Sequence, residues 1–334
     1  MVPASGRRAM TPSGHRGTKV PRLGPVPDGD WKRTSRPHRW VRATPDGRRP
    51  AVDDNTIVVG VDGSQPSHAA LRWAAARAER SRSRLLIVHV LDGSRTGVGD
   101  GPDDSALRDA RALLETERGI AASAAPGVTI DTDVTDGDPV WSLVDGYPAA
   151  RQIVVGSHKT GFLRGASFGS RSLQLAAAAA APVVVVPPTG DPVRAGVVVG
   201  VDESPDGRTA LEFGVRHARA EAQELILVRC VPSTRTLGRF RSGTEDADAS
   251  AAVARARRRV ADLDPDLRVR SRIVHGDPAQ ALIRASTRAA LLVVGRSQGD
   301  AHPSSIGRVT HDVLLNLGVA TVVVGAVPSP SALR

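Results

Sequence analysis

The chain repeats itself, and that repetition constrains its fold more than any other feature. Ile57-Val-Val-Gly-Val-Asp-Gly-Ser64 returns as Val197-Val-Val-Gly-Val-Asp-Glu-Ser204, an offset of 140 positions. Gly137-Asp138-Pro139 returns as Gly276-Asp277-Pro278, and Val154-Val155-Gly156 as Val293-Val294-Gly295, both at an offset of 139. Landmarks that keep their order and spacing mark a duplicated folding unit.

Within each copy, short apolar runs alternate with stretches of helical periodicity. Strands are expected near 56–61, 85–91, 128–134, 152–156 and 183–187, then near 196–201, 225–231, 268–274, 290–294 and 320–325. Between the first two, Leu71, Ala74, Ala75 and Ala78 share one face of a helix over 67–80. Further helices are expected over 107–121 and over 139–150, the latter starting at Pro139 behind an Asp138 cap. Strands rich in Val, Ile and Leu and poor in aromatics suit a parallel sheet covered on both faces. Alternating strands and helices give a doubly wound α/β architecture with right-handed crossovers.

Composition narrows the function classes. Lys and Arg outnumber Asp and Glu by ten, but residues 1–50 alone hold twelve basic residues against three Asp. That segment is rich in Pro and Gly and lacks apolar periodicity, so a disordered tail over 1–51 is expected. It is either a basic arm for phosphate backbones and anionic surfaces or idle, and Met10 and Val52 are alternative starts. The domains are then 52–190 and 191–330. The single Cys230 excludes a disulfide framework and argues for a reducing compartment, so cytoplasmic residence is expected. The apolar run 176–186 is interrupted by Pro182 and too short to span a membrane. The nine histidines do not cluster at metal-ligand spacing, and neither a nucleophile elbow nor a complete phosphate loop occurs.

Ligands of doubly wound sheets bind beyond the carboxyl ends of the strands, where the strand order reverses. After the first strand of copy one come Asp62, Gly63 and Ser64, a carboxylate suited to a sugar hydroxyl or base amine, or else simply helix-capping residues. After the fourth strand, a loop with Gly156, Gly161, Gly165 and Gly169 leads into a helix near Ser170 and Ser172. Free N–H groups at such a helix start attract anions, and Lys159, Arg164 and Arg171 add positive charge.

The order Val-Gly-Val-Asp-Gly-Ser, Gly-Asp-Pro, Val-Val-Gly-Ser-His, then Gly-Ser ahead of Pro-Val-Val-Val resembles the universal stress protein family, in two copies over about 52–330. The ATP-binding pattern of that family, Gly-x2-Gly-x9-Gly-(Ser/Thr), is met here as Gly156-x2-Lys159-x9-Gly169-Ser170. The resemblance implies that Asp62 reads the nucleoside, that Val90 lines the base pocket, and that Gly156, Gly169, Ser170 and Ser172 hold ribose and phosphates. Gly63, Val155, His158, Lys159 and Arg171 complete the candidate set. Lys159 departs from the family's glycine, which costs strain if the backbone there is left-handed, although its ammonium could meet a phosphate. In the second copy the frame begins at Gly295, but Gly307 arrives one residue early and Arg308 stands where the hydroxyl belongs. Asp202 remains, with Glu203 adding a negative charge, so a degenerate site is expected there. Arg296 and Arg308 read as solvated loop charges or as donors to a smaller anion, and His217 and Arg219 as residues on the solvated face of the helix after the first strand.

The expected fold is therefore α/β, two tandem doubly wound domains, each a five-stranded parallel sheet of order 3-2-1-4-5 with helices on both faces. The expected function is a non-enzymatic, cytoplasmic stress-response protein. It would bind ATP, with or without Mg, in its first domain and no cofactor in its second, presenting a surface to an unidentified protein partner. A homodimer is compatible with this reading. The alternatives are a pseudo-dimer with no nucleotide site and nucleic-acid binding through residues 1–51.

Overall fold

A computed structural model of the chain describes residues 39–40, 50–92, 104–157, 171–188, 194–232, 243–296 and 306–326. A two-residue strand, β1 (Arg39–Trp40), lies inside the segment expected to be a disordered tail, and the rest of 1–49 lies outside the described residues. The first repeat follows as β2 (Thr56–Gly60), α1 (Gln65–Ser81), β3 (Arg84–Leu91), α2 (Asp104–Ala124), β4 (Ile130–Asp136), α3 (Pro139–Gly146), β5 (Gln152–Gly156), α4 (Arg171–Ala178) and β6 (Val183–Val186). The second is β7 (Val197–Gly200), α5 (Pro205–Ala220), β8 (Leu225–Val231), α6 (Gly243–Leu263), β9 (Val269–His275), α7 (Pro278–Ser286), β10 (Leu291–Gly295), α8 (Arg308–Leu315) and β11 (Thr321–Val324).

The strands form one sheet in the order β1-β4-β3-β2-β5-β6-β11-β10-β7-β8-β9. Each repeat alone has the expected parallel order 3-2-1-4-5. Their fifth strands then pair antiparallel, with Val184 opposite Val322, so two edges that would otherwise lie open close on each other. At one end of the sheet β1 pairs antiparallel with β4, Arg39 opposite Asp136.

Pleating divides the core between the faces. Ile57 and Val59 of β2 lie on the sheet face covered by α1, α2, α5 and α6, while Val58 lies on the face covered by α3, α4, α7 and α8, and all three are fully buried. Fully burying a Val or Ile side chain stabilises by about 1.5–3 kcal/mol, so a double-faced sheet needs the continuous apolar strands seen in the sequence.

Helix starts follow local chemistry. Ser64 Oγ accepts the Ser67 N–H at 3.3 Å, and Ser204 Oγ accepts the Gly207 N–H at 3.0 Å. The Asp138 carboxylate accepts from Val140 and Trp141, and that of Asp277 from Gln280. Helix α3 stops at Gly146 rather than continuing to 150, because Pro148 disfavours a helical conformation at Tyr147. Tyr147 instead turns inward, fully buried, and donates its hydroxyl to Asp133 at 2.9 Å.

The seam between repeats corrects two sequence expectations. His217 is buried rather than on a solvated face, stacked 6.0 Å from Phe213, because the end of α5 packs near Arg77, Arg80 and Arg151 of the first repeat. Arg77 and Arg80 both pair with Glu221, just beyond α5. Arg296 is also buried rather than a loop charge. Its guanidinium donates to the carbonyls of Ala177 and Ala179, each at 2.9 Å, closing the end of α4 in the other repeat. A cation at that end also complements the helix dipole.

Candidate functional site

In the first repeat, β2 and β5 are hydrogen-bonded neighbours whose following helices, α1 and α4, cover opposite faces. Their carboxyl ends therefore frame the crevice at which strand order reverses. Three candidate segments meet this end of the sheet: Asp62–Ser64 after β2, Val90 near the end of β3, and Val155–Gly156 closing β5. Val90 and Val155 are half-buried and Asp62 is exposed.

The Asp62 turn is locally fixed. Its Oδ1 accepts the Ser64 N–H at 3.0 Å, and Gly63 adopts a left-handed φ of +76°. A side chain at Gly63 would be strained by that φ and would bring a Cβ 3.1 Å from Leu113 on α2. Ser64 is the α1 cap, as the helix-capping reading of Asp62-Gly63-Ser64 expects. Gly156 has a packing reason beyond any ligand. A Cβ there would overlap the Pro66 carbonyl in the first turn of α1.

At the far rim, Arg171 opens α4 and its Nη2 lies 2.7 Å from Asp92 Oδ2, one residue past β3. Asp92 was not singled out in the sequence. The pair links the β3 end to the α4 start across the crevice, and the Arg171 side chain remains 65 % exposed. Ser172 is half-buried on the same first turn. His158, Lys159, Gly169 and Ser170, with Arg164, lie outside the described residues.

Beneath the Asp62 turn lies a second feature that sequence reasoning missed. Glu117 of α2 is fully buried, with its Oε1 2.8 Å from His68 Nε2 on α1. Burial pushes the Glu117 carboxyl above its usual range, and the neighbouring Asp62 charge adds to that, while His68 opposes both. The signal was available. Glu117 occupies the same helical stripe as Ala110, Leu114 and Ala121, where an apolar residue is the default.

The second repeat builds a different rim. Asp202 accepts from the Ser204 N–H at 3.2 Å and from the Ser204 hydroxyl at 2.7 Å. Glu203 stands at the Gly63 position but does not adopt a positive φ, so the turn has another shape. Its carboxylate pairs with Arg255 at 2.7 Å, which offsets the repulsion expected from it. Gly295 ends β10 against Asp206, where a Cβ would meet the backbone at 2.9 Å. Gly307 caps α8 without a side-chain bond, its N–H donating to the Arg296 carbonyl at 2.9 Å. Thr310 donates its hydroxyl to the Gly295 carbonyl at 2.8 Å. The start of α8 is thus tied to the end of β10 by the chain's own atoms.

Among the described residues no group of three His, Cys, Asp or Glu side chains is placed to hold a metal ion. No helix among them is long and apolar enough to cross a membrane.

The duplicated topology and the paired strand-end turns agree with comparison to known proteins. The sequence profile of the universal stress protein family matches residues 55–187 and again 196–325. The chain belongs to the universal stress protein family. A universal stress protein of Mycobacterium tuberculosis is 29 % identical over 311 residues, covering 83 % of this chain and 96 % of that one. One of Mycolicibacterium smegmatis is 27 % identical over 254 residues, covering 72 % and 86 %. Among solved structures, a universal stress protein of Archaeoglobus fulgidus shares the fold at a TM-score of 0.60 and 19 % identity, covering 82 % of this chain and 97 % of its own.

Proposed function

We propose that this tandem universal stress protein binds ATP or a related adenine nucleotide in its first repeat, as a regulatory ligand rather than a substrate. The observation carrying the reading is the placement of Asp62 and Gly156 at adjacent strand ends, β2 and β5, at the reversal of strand order. Ligands of open parallel sheets settle in that crevice. An exposed carboxylate on a rigid turn suits ribose hydroxyls or a base amine. Arg171, at the start of α4, supplies positive charge beside a helix N-terminus, where phosphate is favoured. Divalent magnesium would arrive with the phosphates.

The second repeat supports a structural role. Its Asp202 is engaged by Ser204, and Gly295 and Gly307 are tied into the chain's own hydrogen bonds. Its Arg296 closes a helix of the first repeat instead of facing a ligand.

The test is to precipitate the purified full chain and chromatograph the released supernatant. Bound ATP or ADP that disappears in Asp62→Ala, with circular dichroism unchanged, supports the reading. A chain that carries none, and does not bind added ATP–Mg, contradicts it.

A further inference from the structure

The two repeats also differ at the outer ends of the sheet. In the first, β4 is an outer strand of its repeat carrying Asp131, Asp133 and Asp136, and it is capped by the antiparallel pairing of Arg39–Trp40, from a basic stretch of sequence. The face of β4 towards α3 is also filled, since Tyr147 is fully buried there with its hydroxyl on Asp133. In the second repeat both devices change. The residue 139 positions after Tyr147 is Ser286, and the residue 139 positions after Asp133 is Arg272.

In this repeat a groove of about 310 Å³ lies between β9 and α7. Its floor is Val274, Ala281 and Ala285, and Arg272 and Arg284 stand over it with their side chains exposed. Asp277 is the acidic residue at its margin, with its carboxylate on the Gln280 N–H. Strand β9 itself pairs only with β8 among the described residues, and Ile273 is 37 % exposed. Arg268 at one end accepts from Leu225, and Gly276 at the other donates to Val231, so the even-numbered backbone groups face β8. The odd-numbered ones face outward; the Val269 carbonyl accepts from Arg257 Nη1 at 3.3 Å and His275 lies 3.5 Å from Asp246, while the groups of Ser271 and Ile273 meet no partner strand among the described residues. An edge open at its middle in this way is a template for a short added strand.

Charge selects the occupant. The exposed Arg268, Arg270 and Arg272 oppose a second β9 strand or the chain's own basic N-terminal stretch, and favour a segment of opposite sign. Arg270 already shows the preference, pairing with Glu224 at 2.7 Å.

We propose that the β9 edge and the β9–α7 groove form a docking surface for an extended acidic segment of a partner protein, added antiparallel to β9 with one aromatic or large apolar side chain in the groove. In the first repeat the corresponding outer strand, with Asp131, Asp133 and Asp136, is paired antiparallel by Arg39–Trp40 of the same chain.

The experiment titrates the isotope-labelled full chain with a capped Glu-Val-Glu-Tyr-Glu-Val-Glu peptide, following backbone amide shifts by NMR. A peptide with Lys for every Glu serves as control. The expected result is shifts confined to 269–275 and 280–285, and affinity about tenfold above the lysine peptide. Arg272→Glu with Arg284→Glu, both exposed and safe for folding, should weaken binding about tenfold, equivalent to about 1.4 kcal/mol. Ile273→Pro removes one outward N–H while leaving the β8 ladder intact, and should also abolish the shifts. Equal affinity for both peptides, shifts elsewhere, or indifference to the charge reversal would overturn the proposal. So would binding of free glutamate as strong as that of the peptide. Self-association of the wild-type chain that Ile273→Pro removes would assign the edge to a second copy instead, and would equally overturn it.

Discussion

Glu221 should be among the most costly single charges to remove from this protein. It lies between Arg77 and Arg80 of the other repeat, with the Arg77 side chain 3 % exposed and that of Glu221 8 % exposed. Burial lowers the Arg77 pKa, and Glu221 is the charge opposing that, while Arg151 and Arg80 repel it. Glu221→Gln keeps the shape and one acceptor but leaves Arg77 buried among like charges. Losing one partner of a buried pair costs about 3–5 kcal/mol, against about 0–1 kcal/mol for an exposed pair. The retained acceptor places Gln towards the lower end of that range. Urea unfolding of the full chain, followed by circular dichroism, measures it. The half-exposed pair of Arg84 and Asp131 is the internal control, and Asp131→Asn should cost less than about 1 kcal/mol. Adding Arg77→Met to Glu221→Gln should recover most of the loss, since the stranded charge is then gone. A loss for Glu221→Gln no larger than the control's would refute the reasoning, and with it the view that this cluster locks the repeats together.

Three further outcomes follow from the same geometry. Gly156→Ala should destabilise the nucleotide-free protein by about 1–3 kcal/mol in the same urea assay, because the new methyl overlaps the Pro66 carbonyl; an unchanged midpoint would leave Gly156 with only a ligand role. His217 is buried with its pKa held well below 6.5, by desolvation first and then by the Arg77, Arg80 and Arg151 charges, so the unfolded chain takes up the proton first. Its contribution is complete above about pH 6.5 and is lost as pH falls below that, by about 1.4 kcal/mol per unit, and His217→Phe should flatten this limb of the stability profile. Arg296→Met should cost about 2 kcal/mol, since the Ala177 and Ala179 carbonyls lose charged donors; hydrogen exchange should quicken at the end of α4 and not in α8.

Much of the architecture was legible because its causes are local or periodic. The duplicated Val-Val-Gly-Val-Asp strand ends, the apolar strands and the Asp138-Pro139 and Asp277-Pro278 starts each dictate an element without reference to the rest of the chain. The antiparallel union of β6 and β11 was not legible. Val183–Val186 and Thr321–Val324 read as ordinary buried strands, and nothing in their pattern names the neighbour across the seam. His217 and Arg296 failed for a related reason. A charged or polar type on a helix or loop defaults to solvent, and only tertiary partners such as Phe213 and the Ala177 carbonyl reverse it. At the candidate site, Asp62 and Gly63 were singled out from their place after a strand, where the structure puts them at the end of β2. Asp92 was overlooked because its partner Arg171 is distant in sequence.

The central claim is that one repeat binds nucleotide and the other does not. Isothermal titration of the nucleotide-stripped full chain with ATP–Mg tests it most directly. The account predicts one site per chain, abolished by Asp62→Ala and untouched by Asp202→Ala; two sites, or one that survives Asp62→Ala and fails with Asp202→Ala, would contradict it.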